Sequence, residues 1–187
     1  MLIDITLKIT PKMVSDAQGN ESKALVGHLG THFDVMNKEF PLEYIERNAI
    51  VFDVSEIKDR DISTDDIDLS EVCENMFIAF YTGFVEEQGY GSKNYFSQHP
   101  QLSNELIDEL LAKNISIIGV DFAGIRRGAE HTPKDQYCAD KNVFVIENLC
   151  NLKAILADKP CEIFIANTYP MNYSDMTGLP CRVICKK

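Results

Sequence analysis

Between His28 and Asp34 the chain reads HLGTHFD, and this heptad holds two of the four histidines in 187 residues. Two imidazoles four residues apart and a carboxylate two further on offer two nitrogens and an oxygen to a divalent cation. In an extended segment side chains alternate with period two, so His28, His32 and Asp34 would share one face. Gly30 falls between the histidines on that face, where a larger side chain would crowd an ion. Such a mixed set suits Zn²⁺ or Mn²⁺ and not an ion that prefers thiolates. The plain alternative is a chance trio of polar residues at a strand end. Half of the chain's histidines lie in these seven residues, which argues against chance.

Other residues could complete a site. Glu147 follows the apolar run Val143–Ile146, where a carboxylate is either an exposed strand terminus or a ligand. His131 and Asp135 lie in GAEHTPKDQ, which reads as a helix start with Thr132 as N-cap, Pro133 at the first position and Asp135 at the third. The helix dipole alone favours an acid there, and His131 could be a loop residue. As ligands they would supply an oxygen and an imidazole, and His131 is the one expected to reach the metal. Lys38 is ordinarily a cation, with an unperturbed pKa of about 10.4. It could serve as a base only if desolvation or a nearby metal lowered that value. Pairing with a substrate carboxylate or an oxyanion suits it better, and a solvated surface position is the bland reading. Arg126-Arg127 reads as a solvated loop pair or an anion clamp, and His99 as structural. Tyr81–Phe84 ends a buried strand, a usual place for pocket residues in open α/β sheets.

The elements that would position these residues follow from hydrophobic periodicity. Strands are expected over Leu2–Ile9, Ala24–His28, Ala49–Val54, Met76–Tyr81, Ser116–Asp121, Val143–Ile146, Glu162–Asn167 and Arg182–Cys185. Continuous apolar runs such as MFIAFY suit strands covered on both faces. SNELIDELLAK has the helical spacing of Leu106, Ile107, Leu110 and Leu111 behind Ser103. Further helices are expected at Thr132 and over Asn148–Ala157, and a loop over Ser15–Ser22. The reading is α/β, one domain over residues 1–187, with a mixed sheet and few helices.

The composition, 45% apolar and 25% charged, is that of an ordinary globular chain. A net charge of −11 opposes binding to nucleic acid or to an anionic membrane. No apolar run approaches a bilayer span, and the alternating N-terminus reads as a strand and not a signal peptide, so the expected location is cytoplasmic. The six cysteines form no CxxC pair. Cys181 and Cys185, four apart on a strand, would sit roughly 13 Å from each other, too far for a disulfide; buried free thiols are expected.

HxGTHxD resembles the signature of the cyclase family, which includes bacterial kynurenine formamidases and isatin hydrolases. YTGF at Tyr81–Phe84, the GYGSKNYFSQHP block, SNELIDELLAKNISIIGVDF and VFVIENL follow in family order, so the resemblance runs from Leu2 to about Leu152. It implies a swivelling β/β/α fold, with His28, His32 and Asp34 as metal ligands, Asp34 able to bridge a second ion, and Glu147 on that ion or its water. An ungapped comparison puts Asp135 where dinuclear members have a metal-binding His. The family motif continues HxGTHxDxPxH, and this chain has Met36 and Lys38 at its last two defined positions. The absent His is the family's proton-transferring residue.

The expected function is a metal-dependent hydrolase of a small cyclic or N-acyl amide. A Zn²⁺ or Mn²⁺ ion would acidify water and polarise the carbonyl. Glu147 or His131 would handle the proton, and Lys38 would stabilise the anion. The alternative is a metal- or small-molecule-binding protein that kept the fold and lost catalysis with that His. One tight ion and a weaker, oxygen-bound second are expected, in a homo-oligomer whose other partner is a small-molecule substrate.

Overall fold

A computed structural model describes residues 1–24 and 26–187. In chain order the elements are β1 (Leu2–Asp4), α1 (Pro11–Asp16), α2 (Glu21–Ala24), β2 (His32–Asp34), β3 (Glu46–Asp53), β4 (Phe77–Tyr81), α3 (Phe84–Gln88), α4 (Lys93–Ser97), α5 (Asn104–Ala112), β5 (Ile117–Val120), α6 (His131–Ala139), β6 (Phe144–Glu147), α7 (Lys153–Leu156), β7 (Cys161–Pro170) and β8 (Gly178–Lys186). The strands form one mixed sheet in the order β1-β8-β2-β6-β5-β4-β3-β7, and a further β7–β8 pairing closes it into a barrel. β3 to β6 run parallel, while β2, β7 and β8 pair antiparallel with their neighbours.

Alternation along the parallel strands builds two cores. Ala49, Val51, Phe77, Ala79, Ile117, Phe144 and Ile146 join Phe33, Phe164 and Val183 in one. Ile50, Phe52, Ile78, Phe80, Ile118 and Val145 pack in the other against Leu106, Ile107 and Leu110 of α5 and Cys138 of α6. All five residues of β4 are buried, as its unbroken apolar run implied. Among the described residues no helix is long and apolar enough to cross a membrane.

The expected α/β fold with a mixed sheet is therefore the one observed, with local departures. The first strand stops at Asp4 and continues as a single bridge, Thr6 to Leu149. Pro11 at the first position of α1 and the Thr10 hydroxyl accepting from Met13 N start a helix that runs into the expected loop. The strand expected over Ala24–His28 falls partly on Leu25, outside the described residues; Ala24 ends α2 and residues 26–28 form no strand. β7 and β8 outrun their apolar centres because each ladders against the other, carrying polar residues such as Arg182 on the outer face. The helix expected over Asn148–Ala157 shrinks to α7, since Asn148 and Asn151 hold left-handed φ values of 59° and 58° that no α-helix accommodates. α6 opens at His131, two residues before Pro133. The proline still falls in the first turn, where its missing N–H would have had no helical partner.

Candidate metal centre

The register of β2 on β6 sets His32 opposite Glu147, Phe33 opposite Ile146 and Asp34 opposite Val145. Phe33 and Ile146 enter the core they share with the barrel strands, so His32, Asp34 and Glu147 face the other way, toward the side on which α6 packs. On α6, His131 and Asp135 are four residues apart and lie on one face, with His131 Nε2 3.2 Å from Asp135 Oδ2.

His28 reaches the same place from a loop, not from an extended strand. Its Nδ1 is 3.2 Å from Asp34 Oδ1, and its Nε2 lies 2.9 Å from Thr177 Oγ1. Gly178 leaves room for the ring: a Cβ there would stand 2.7 Å from His28 Cδ2. Gly30 does not keep space clear for an ion, as expected from an extended segment. Its φ is +75°, and a Cβ would stand 2.4 Å from Ile9 Cδ1, so the turn and Ile9 require the glycine.

Two candidate ligand groups result, His28–His32–Asp34 and Asp34–His131–Asp135–Glu147, each able to hold a metal ion and sharing Asp34. His32 Nε2 is 3.5 Å from Asp34 Oδ1 and 3.6 Å from Glu147 Oε2, and His131 Nε2 is 2.9 Å from Glu147 Oε1. His131 thus joins the second group, where it was expected to complete the first. His32, Asp34, Asp135 and Glu147 are buried, while His28 and His131 are partly open to solvent, with side chains 23% and 34% exposed.

The electrostatics are those of a crowded acidic site. Burial works against a charged His32, but Asp34 and Glu147 outweigh it and push the imidazole up to about 9. Burial likewise opposes charge on His131, and Asp135 and Glu147 push it up to about 11. Burial also opposes ionisation of Asp34, yet His32 and His28 hold its carboxyl well below the ordinary range. Asp135 moves upward because burial and the Asp34 carboxylate outweigh the opposing effect of His131.

The fit to a cation is tested by the atoms that find no partner. Four buried side-chain polar atoms among the described residues lack a hydrogen bond, and three are His32 Nε2, Asp34 Oδ2 and Asp135 Oδ1. Such atoms are costly to bury unless something satisfies them. Two carboxylate oxygens and an imidazole nitrogen fit a cation, and the mixed oxygen and nitrogen donor set suits a divalent ion.

The sequence matches the Cyclase family model over residues 3–126. The chain belongs to the cyclase family. That span includes His28, His32 and Asp34 and ends before His131, Asp135 and Glu147. No curated protein matches the sequence. Among solved structures, one described as a potential metal-dependent hydrolase with cyclase activity aligns with a TM-score of 0.74 at 22% identity, covering 99% of this chain and 96% of that one. Isatin hydrolase A from Labrenzia aggregata, bound to benzyl benzoate, aligns with a TM-score of 0.73 at 18% identity over 99% and 93% of the two chains. Isatin hydrolase A from Ralstonia solanacearum gives 0.73 at 17% identity over 99% and 91%. The fold is thus shared over nearly the full length of this cyclase-family chain.

Of the other residues singled out in the sequence of this cyclase-family chain, some lie as expected and some do not. Lys38 Nζ is 2.8 Å from Asp140 Oδ1 at the end of α6, so its ammonium is directed to that carboxylate and not to either ligand group. Met36 sits at φ 57°, a conformation closed to proline. Arg126 is neither solvated nor a free clamp: it is buried on Asp61, Glu130 and the Leu102 carbonyl. His99 is buried and stacks on Phe122, a structural position. Of Tyr81–Phe84, Phe84 alone lines a cavity of about 380 Å³, with His99 and Arg127, while Thr82 and Gly83 bind the buried Asp121. All six cysteines are free; Cys138, Cys181 and Cys185 are buried as expected, whereas Cys73 is exposed and Cys150 and Cys161 are half-buried. Thr177 and Asn148 were not singled out in the sequence. Adjacency to Glu147 was the one signal for Asn148, and nothing in the local sequence marks Thr177.

Proposed function

We propose that this cyclase-family chain is a metal-dependent hydrolase of a small cyclic or N-acyl amide. The observation that carries the reading is the convergence of three partnerless buried atoms, from His32, Asp34 and Asp135, on two ligand groups that share Asp34. His28, His32 and Asp34 would hold one divalent ion, and Asp34, His131, Asp135 and Glu147 a second, weaker one. When bound, the ion supplies Lewis acidity, polarising a carbonyl and making water more acidic.

The chain's own groups divide the remaining work. Glu147 lies between His32 and His131, and its carboxylate can accept a proton from water on the side where His131 opens to solvent. Asp34 balances charge between the groups, and the burial of Asp34 and Glu147 limits competing water. Isatin hydrolases are among the similar folds, which supports a cyclic amide as substrate class.

A second reading, a metal- or small-molecule-binding protein without hydrolysis, is favoured by one observation: Lys38 stands at the family's proton-transferring position and is engaged by Asp140. Assays on N-formylkynurenine, isatin and cyclic imides with Zn²⁺- or Mn²⁺-loaded protein separate the two. Turnover of one of these amides supports the hydrolase, and no turnover of any by metal-loaded protein rejects it.

A further inference from the structure

His32 is aimed by a carbonyl that depends on a residue outside both ligand groups. Its Nδ1 lies 2.8 Å from the Gly30 carbonyl oxygen. That oxygen can only accept, so Nδ1 carries a proton in either charge state, and Nε2, partnerless and buried, is the nitrogen left to bind a cation once it gives up its own proton. Gly30, at φ +75°, has no side chain to fix the tilt of its peptide plane. What holds the plane is the Asn148 amide, whose Nδ2 donates to the same carbonyl oxygen at 2.9 Å.

Asn148 is itself tied on every side. Because the Gly30 oxygen accepts, the amide must present Nδ2 there and Oδ1 to Tyr95, whose hydroxyl donates at 2.8 Å. The Asn148 carbonyl accepts from Thr31 Oγ1 at 2.6 Å, and its N–H donates to the Phe122 carbonyl at 3.0 Å. Asn148 and Tyr95 are 1% and 0% exposed, so water does not replace these bonds. Asn148 directly follows Glu147. One side chain therefore ties the strand end that carries Glu147 to Gly30, between His28 and His32.

We propose that Asn148, locked by Tyr95, is a positioning residue that sets the tautomer and direction of His32 and the spacing between the His28–Asp34 segment and Glu147. The inference rests on the metal-site reading above. Partners that orient a ligating histidine typically change metal affinity about 10–100-fold when removed.

The test uses Co²⁺ as probe on the full chain in three forms: wild type, Asn148→Gly and Tyr95→Phe. Glycine keeps the left-handed backbone at position 148 while deleting the amide. Phenylalanine removes one hydroxyl and frees the amide to rotate. Co²⁺ affinity by chelator competition is expected to fall by about 10–100-fold in Asn148→Gly and by a smaller factor in Tyr95→Phe. The visible Co²⁺ bands should shift, and the rise in melting temperature on adding Co²⁺ should shrink. Variants that are less stable without metal, yet bind Co²⁺ with wild-type affinity and spectrum, would overturn the inference by showing a structural role alone. Should Asn148→Gly fail to fold, Tyr95→Phe decides on the same readings. Wild-type protein that binds no Co²⁺ would overturn the metal reading and this inference with it, whereas a wild type that binds alongside unaffected variants overturns only the inference.

Discussion

His131 and Asp135 stand one turn apart on α6 with His131 Nε2 3.2 Å from Asp135 Oδ2, and the same nitrogen is 2.9 Å from Glu147 Oε1. A helix packed on the sheet and the end of the strand beneath it thus meet at one imidazole. Without a cation, Asp135 is a buried acid, pushed up to about 8 by burial and the Asp34 carboxylate, with Oδ1 unpaired. Replacing Asp135 with Asn removes the buried acid and supplies an amide that can donate to a neighbouring carboxylate. Metal-free Asp135→Asn should be more stable by about 1 kcal/mol, a rise in Tm of about 2–4 °C for a chain of this size. It should also lose the weaker metal-binding event. Calorimetric melting with and without Zn²⁺ checks both, and a Tm lowered in the metal-free variant would speak against an uncompensated acid.

Protons and metal compete for the same nitrogens. His32 is held protonated up to about pH 9 by Asp34 and Glu147, while a metal ligand must be neutral. Metal affinity should therefore climb with pH through that region, and binding at pH 7 should release protons. In the metal-free state the sign is opposite for stability. A folded pKa near 9, raised above an unfolded value of about 6.5, contributes stability that is complete below pH 6.5 and lost as pH rises through 9. Titration in two buffers of different ionisation enthalpy measures the protons released; zero release at pH 7 would contradict the assignment of His32.

Half-buried Lys38 and exposed Asp140 form a pair at the C-terminal end of α6. Pairs of this kind contribute little. Lys38→Ala should leave Zn²⁺ affinity within about twofold and the melting temperature nearly unchanged. If hydrolysis is present in the wild type, it should survive. Loss of turnover with intact metal binding would instead place Lys38 in the chemistry, and Lys38→His then tests the family pattern. Activity appearing only with His favours the binding reading for the native chain.

Much of this was legible from residue types, because the strongest signals are local. The parallel strands announce themselves as apolar runs, and the spacing in HLGTHFD marks three candidate ligands that the structure brings together, His28 from a loop. What escaped depends on backbone conformations that side-chain patterns do not encode. Asn148 belongs to an apparent helix by spacing, yet holds φ 59° and bonds to the Gly30 carbonyl and to Tyr95 of α4. Met36 holds φ 57°, and Lys38 two residues on pairs with Asp140. The grouping of His131 with Asp135 was readable as an i, i+4 pair had the helix been started two residues earlier. Pro133 at the expected first position hid it.

A homo-oligomer is expected. Ile163, Tyr169, Met171 and Tyr173 lie exposed along β7 and the segment after it, a concentration of large apolar side chains that association would cover. Light scattering should give a multiple of 21.1 kDa, and a mass of 21.1 kDa would overturn the expectation.

Asp34 belongs to both ligand groups, so its removal should empty both at once. The decisive measurement is a calorimetric titration of metal-free wild type and Asp34→Asn with Zn²⁺. Wild type should bind one Zn²⁺ per chain tightly through the nitrogen-rich His28–His32–Asp34 group, then a second weakly, and Asp34→Asn should show neither event while remaining folded. A wild type that takes up no Zn²⁺, or an Asp34→Asn chain that still binds it stoichiometrically, would contradict the metal centre.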